Sequence, residues 1–269
     1  MSEMTRRDFI AAGAAITGAA LAAGNIHAQY GEPMLGCQSY SFRNFDFQGS
    51  IEQLRKLDLS VMEFCAVHFP PNANDPGFAA IKKALDLGGI QVPAYGVEGF
   101  GGDAAANRVK FEFGKALGVQ ILSADPSPDA FDNLDALVEE FGIKIGIHNH
   151  GPGARYDGVK DTLDAVKNHN KMIGACLDTG HCIRSNEKPH EVAEALGERL
   201  HALHLKDWIH GGEEQIVGEG DLDLLALAKV LKGMNFTGPV VLEYENHPDN
   251  PVPDMAKGIA NVIAAWEAA

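Results

Sequence analysis

The stretch "IGIHNHGP" (145–152) delivers two imidazoles, His148 and His150, at the end of an apolar run. Side chains two positions apart share one face of a strand. The pattern recurs downstream. "GACLDTGH" carries Asp178 and then His181, "LHALHLKD" carries His204 and Lys206, and "PVVLEYE" carries Glu243 and Glu245. Upstream, "VMEFCAV" offers Glu63. Charged groups are seldom buried without partners. Successive apolar runs that end in imidazoles and carboxylates therefore imply one divalent ion shared among them. The set that suits such an ion is His148, Asp178, His204 and Glu243, which leaves coordination positions for a substrate. Mixed imidazole and carboxylate ligands favour Mn, Co, Zn or Fe over calcium. His150, His181 and Lys206 stand beside these ligands as candidate proton donors or oxygen clamps, and Glu243 doubles as a candidate base. Glu63, and His210 at the head of "HGGEEQIVGEGD", are candidate substrate contacts. His68 reads as a loop residue, and His169, His190, His201 and His247 read as surface residues.

These residues need a frame that brings strand ends together. Strand-like runs fall at 34–42, 61–67, 91–97, 119–125, 144–150, 173–179, 200–207 and 239–245. Helical patterns alternate with them at roughly 50–58, 76–88, 103–117, 128–141, 158–169, 189–198, 222–231 and 253–267. Leu134, Leu137, Val138 and Phe141 show the helical spacing i, i+3, i+4, i+7. Gly118 and Gly142 read as helix stops. Strict alternation implies parallel βαβ units, and eight of them match a single (β/α)8 barrel. In that fold the ends of the strands surround one pocket at the C-terminal face. A doubly wound sheet with a dinucleotide site is disfavoured, because no glycine fingerprint follows the first strand and "GVEGFGG" (96–102) has the wrong spacing.

Residues 1–28 stand apart from this frame. "MTRRDFIAAGAAITGAALAAGNIHAQ" has paired arginines followed by a small-residue apolar run, a twin-arginine-like signal peptide that predicts export, to the periplasm in a two-membrane cell. The expected domains are thus this signal and a barrel over 29–269. The chain carries a formal charge of −15. Such a surface repels phosphate backbones and argues against nucleic-acid binding. The mature chain has no apolar run long enough to span a bilayer. Four cysteines (Cys37, Cys65, Cys176, Cys182) lack the close pairing of a zinc knuckle and read as small buried thiols. Homo-oligomer formation is left open.

Taken together, "CLDTGH", "HLKD", "GEGDLD" and "VVLEYE" resemble the sugar phosphate isomerase/epimerase group of xylose-isomerase-like barrels, over nearly the whole mature chain. The resemblance implies one divalent ion at the barrel mouth and a small sugar as substrate. It places Asp178, His204 and Glu243 on metal ligands and His181 on a substrate-contacting histidine. There is one departure. Epimerases of the group carry a glutamate where this chain has His148, and that glutamate works with the eighth-strand glutamate as an acid/base pair. A metal-bound histidine has no lone pair left on the coordinating nitrogen. The "HNHG" form is similar to exported members associated with 3-keto-glycoside breakdown. That implies a lyase or hydratase acting on a keto sugar through a metal-stabilised enolate, by β-elimination of a 3-keto-glycoside or hydration of a 2-hydroxyglycal. A sugar isomerase or epimerase is the alternative. An AP-endonuclease relative would need a basic stripe, and a non-catalytic sugar-binding barrel would not need the four ligand-type residues.

Overall fold

The computed structural model describes residues 34–269. The signal-like segment therefore lies outside the described residues. Strands β1 (Met34–Gln38), β2 (Met62–Glu63), β3 (Ala94–Phe100), β4 (Ile121–Pro126), β5 (Lys144–His148), β6 (Ile173–Asp178) and β7 (Leu200–Leu205) come first. A two-stranded antiparallel hairpin, β8 (Asp207–Trp208) with β9 (Glu214–Gln215), follows, and β10 (Pro239–Leu242) is the eighth barrel strand. The order around the sheet is β2-β1-β10-β7-β6-β5-β4-β3, all parallel. Parallel bridges Val61↔Gln91 and Phe64↔Tyr95 bring β2 to β3 and complete the circle. The chain is an α/β barrel, as its rhythm predicts.

Helices α1 (Phe47–Lys56), α2 (Phe78–Gly88), α3 (Ala104–Leu117), α4 (Phe131–Phe141), α5 (Val159–Val166), α6 (Thr179–Arg184), α7 (Pro189–Leu196), α8 (Leu224–Gly233) and α9 (Val252–Ala268) connect the strands. The apolar stripe of α4 packs inward as its spacing requires, with Leu134, Leu137 and Val138 buried. Gly118 (φ 93°) and Gly142 (φ 67°) end α3 and α4 in the left-handed conformation that glycine adopts without strain. Burial of the large apolar side chains between sheet and helices is the main stabilising term. All four cysteines are free and buried. Among the described residues, no helix is long and apolar enough to cross a membrane.

Two features depart from the sequence reading. The short helix α6 begins at Thr179, directly after β6, where the sequence suggests only the strand's end. The reason is local: Asp178 caps it, its Oδ1 accepting from the His181 amide at 2.7 Å. Six of the eight barrel strands also stop earlier than their apolar runs do, at 38, 63, 148, 178, 205 and 242, while β3 and β4 run on to 100 and 126. Beyond those ends side chains take over the pairing. Asn149 accepts from the Asp178 amide (2.8 Å) and donates to the Asp178 carbonyl (3.0 Å). Thr179 Oγ1 donates to the Lys206 carbonyl (2.6 Å) and accepts from its amide (3.0 Å). Ser39 accepts from the Cys65 amide, Ser41 from Tyr244 and Glu214 from Glu245. The C-terminal rim is thus ordered while its backbone turns away from strand geometry.

Candidate metal centre

Strand register explains why four distant residues meet. His148 pairs with Cys176, two positions below Asp178, and Asp178 pairs with His204. His204 pairs with Val241, two positions below Glu243. The first and last steps move up the tilted barrel and the middle one is level, so inward-facing side chains of β5, β6, β7 and the end of β10 converge on one point. One ligand-type atom from each of His148, Asp178, His204 and Glu243 lies within 4.8 Å of the others, and all four residues are buried. His148 Nε2 is 3.1 Å from His204 Nδ1 and 3.5 Å from Asp178 Oδ2. His204 Nδ1 is also 3.2 Å from Glu243 Oε2.

The donor set fits a divalent ion. Asp178 Oδ2 is buried with no hydrogen-bond partner and turns toward the cluster. His148 Nε2 and His204 Nδ1 face each other and the two carboxylates, four ligand-type groups that one divalent ion would satisfy together. Mixed nitrogen and oxygen ligands suit Mn, Co, Zn or Fe. Glu63 supports the site from behind. Its Oε2 lies 3.1 Å from His204 Nε2, and it is 0 % exposed. A carboxylate on the outer nitrogen fixes the ring orientation and leaves Nδ1 as the inward donor, a common device behind metal-bound histidines. Glu63 therefore has no surface left for a substrate, which corrects its reading as a substrate contact.

The other expected residues divide. His150 and His181 are half-buried and flank His148, with ring centroids 4.7 and 5.9 Å from it and 5.6 Å from each other. Lys206 is 1 % exposed, its Nζ 2.6 Å from Glu245 Oε1, 3.4 Å from Glu243 Oε2 and 3.6 Å from Asp178 Oδ2. His210 is exposed beyond β8, its Nδ1 donating to the Ile183 carbonyl at 3.0 Å, apart from the four-residue cluster. His68, read as a loop residue, is half-buried, its Nδ1 3.1 Å from Ser39 Oγ. His201 is not a surface residue either: it is 4 % exposed near the barrel's N-terminal end. Sequence reasoning missed Asn149, Thr179, Glu214 and Arg184. The first two carry a readable signal, a small polar residue just after a strand-end ligand or just before the next one.

The electrostatics are those of a tightly balanced charge cluster. Burial opposes the Lys206 charge, but Glu243, Asp178 and Glu245 around it outweigh burial and hold it an ammonium above the ordinary lysine range. Burial likewise pushes Glu243 up, and Lys206 and His204 overcome it, so the carboxyl sits well below its usual range. Asp178 is held down in the same way, burial being outweighed by Lys206 and then His181. Burial pushes His181 down to about 4, and burial with the neighbouring His148 lowers His150. For His204, burial is outweighed by Cys176 and the Glu63 and Glu243 carboxylates, and it titrates well above the ordinary value. The mouth therefore combines fixed carboxylates with the Lys206 ammonium and a His204 ring biased toward its protonated form, flanked by neutral imidazoles at His150 and His181. This arrangement can hold a metal, grip sugar oxygens and move a proton.

Comparison with known proteins accords with the fold. The chain matches the xylose isomerase-like TIM barrel family over residues 51–265 and belongs to that family. It is 27 % identical over 151 residues to inosose dehydratase of Clostridium botulinum, covering 48 % of this chain and 50 % of that one. It is 34 % identical over 148 residues to 3-oxo-isoapionate decarboxylase of Pectobacterium atrosepticum, covering 51 % of each. The chain thus spans about half the length of the curated relatives it matches. Among solved structures, the zinc-bound IolI protein superposes with a TM-score of 0.71 at 16 % identity, covering 87 % of this chain and 98 % of that one. That likeness establishes the fold.

Proposed function

We propose that this xylose isomerase-like barrel is a metal-dependent enzyme that acts on a keto sugar by β-elimination of a 3-keto-glycoside, or by the reverse addition of water to a 2-hydroxyglycal. The observation that carries the reading is His148. It fills a ligand position with an imidazole, beside a fixed ammonium and two neutral imidazoles, where a two-carboxylate epimerase shuttle needs a second base. The relatives support the coarser statement, since one removes water from an inosose and another acts on a 3-oxo sugar acid by name.

His148, Asp178, His204 and Glu243 hold the ion, which when bound supplies Lewis-acid polarisation of the substrate carbonyl and neutralises charge developing on its oxygen. A carbonyl at C3 acidifies the proton on C2. His150, on the open side of His148, takes that proton. The electron pair left on C2 forms the C1–C2 double bond as the C1–oxygen bond breaks. The departing oxygen takes a proton from solvent beside the Lys206 ammonium, which Glu245 holds in place and whose charge stabilises that oxygen. Products are the free aglycone and a 3-keto-2-hydroxyglycal, with no oxidant or reductant needed. Adding water across the same bond runs these transfers backwards. Glu243 stays a ligand, since Lys206 and His204 hold its carboxyl below the range of a useful base. The twin-arginine-like pattern in residues 1–28 supports export of the protein from the cytoplasm.

The test is incubation of the metal-loaded protein with a 3-keto-glucoside in deuterated water, followed by proton NMR. Aglycone release or glycal formation that a chelator abolishes is the expected result. Deuterium incorporation into an otherwise intact sugar would overturn the reading in favour of epimerisation.

A further inference from the structure

His181 and Arg184 lie three residues apart on α6, one turn of helix, so their side chains meet. Arg184 Nη1 is 2.8 Å from His181 Nδ1. Guanidinium has only N–H donors and does not deprotonate in proteins, so it can only donate here. Nδ1 must then present its lone pair. The proton of the neutral ring is left on Nε2, the opposite edge.

The guanidinium is not free to leave. Its central carbon lies 5.0 Å from the centre of the Trp208 ring. On the other side it presses on the loop after β5, so closely that a Cβ at Gly151 would stand 2.7 Å from Cζ and 2.9 Å from Nη1. Any side chain at residue 151 would push the guanidinium away. The HNHG turn that supplies His148 and His150 thus also supplies the space that Arg184 needs. The histidine is fixed from its backbone as well, through the bond from its amide to Asp178 Oδ1.

We infer that Arg184 is a positioning residue that locks His181 in the Nε2–H tautomer, making His181 a hydrogen-bond donor to substrate oxygen and excluding it as the proton-abstracting base. This rests on the proposed keto-sugar chemistry only for what the donor serves. The tautomer itself is a property of the resting protein.

The experiment is a long-range nitrogen–proton correlation spectrum of the zinc-loaded protein labelled with ¹⁵N-histidine, recorded without substrate. The His181 signals are assigned by their loss in His181→Gln. The expected wild-type pattern is a protonated Nε2 and an unprotonated Nδ1. In Arg184→Met, which keeps an apolar stem against Trp208, the ratio of Nε2–H to Nδ1–H should fall about tenfold, the worth of one hydrogen bond. A wild-type His181 that carries its proton on Nδ1 overturns the inference, as does an unchanged ratio in a folded Arg184→Met. Should that variant fail to fold, the wild-type spectrum decides alone. Because no turnover is measured, failure here is separate from failure of the keto-sugar assay.

Discussion

The two ends of the barrel solve the same problem in opposite ways. At both, backbone groups run out of strand partners and side chains must replace them. At the N-terminal end two side chains carry much of the replacement, although His201 Nε2 stays buried without a partner. Arg199 spends its guanidinium on three carbonyls, those of Asn170 (2.7 Å), Ile173 (2.6 Å) and His169 (3.0 Å). Asp135 holds the Asn170 amide at 2.8 Å and the His169 ring at 2.7 Å. At the C-terminal end the backbone is satisfied by Asn149, Thr179 and Ser41, small groups that leave the larger ones facing inward. His148 Nδ1, Asp178 Oδ2 and Glu63 Oε1 remain buried without partners. Leaving such groups unpaired costs stability, on the order of 1–3 kcal/mol each or more when charged. One end turns its large polar side chains to the backbone, and the other keeps them facing inward, with Asp178 Oδ2 turned toward the four-residue cluster.

That contrast can be broken experimentally. The largest effect is expected for Asp178→Ala, which should abolish metal retention, read by elemental analysis of the purified protein, and turnover with it. Retention of metal at wild-type stoichiometry would remove Asp178 from the ligand set. Next, Lys206→Met should lower turnover by about 10²–10³-fold while the metal stays bound, as for loss of a positioned charge that stabilises a developing oxyanion. Glu63→Gln keeps shape but weakens the carboxylate behind His204, and metal affinity should fall by roughly 10–100-fold. Titration with a competing chelator measures this. Metal affinity should also weaken as pH falls, because His148 and His204 must be unprotonated to bind.

The smallest effects lie at the other end and concern stability alone. Burial holds His201 down at about 4, against an ordinary 6.5. The folded protein thus favours the neutral ring, and that contribution is present above pH 6.5 and lost as pH falls toward 4. The full loss is about 3 kcal/mol. Denaturant midpoints at pH 7 and pH 4.5 should show His201→Phe losing less stability on acidification than wild type. A wild-type-like acid slope in this variant would show that His201 contributes nothing. Arg199→Met should cost about 1–3 kcal/mol, with metal affinity untouched.

The sequence makes the alternation of strands and helices legible, and with it the barrel. It also makes the ligand set legible, because His148, Asp178, His204 and Glu243 sit near the ends of apolar runs. Periodicity cannot separate a strand from a strand-like extension whose hydrogen bonds pass to side chains. "KIGIHNH" therefore reads as strand to His150, although Asn149 has already taken over the pairing at Asp178. Glu63 is visible as a polar residue in a strand, but its partner lies 141 positions away, on His204. His201 alternates with apolar residues as an exposed strand residue would, and only the packed barrel end shows it to be buried. Arg184 is invisible to strand logic, since the helix that carries it starts where the strand was expected to end.

Asp207 has a consequence of a different kind. Its carboxylate is fully buried and gathers four backbone amides, those of Trp208 (2.8 Å), Gly218 (2.8 Å), Gly220 (2.9 Å) and Leu222 (3.0 Å). The excursion between β7 and α8 is therefore fastened at its root by one side chain, while its tip is held by fewer bonds, from the His210 amide to Asp221, from the His210 ring to the Ile183 carbonyl and from the Trp208 ring to the Gly212 carbonyl. Such a loop is a cassette. Its outer residues, 209–213, can change in length or chemistry without loosening the barrel. A protease should cut there in a variant such as Asp207→Ala long before the rest of the chain is open to it.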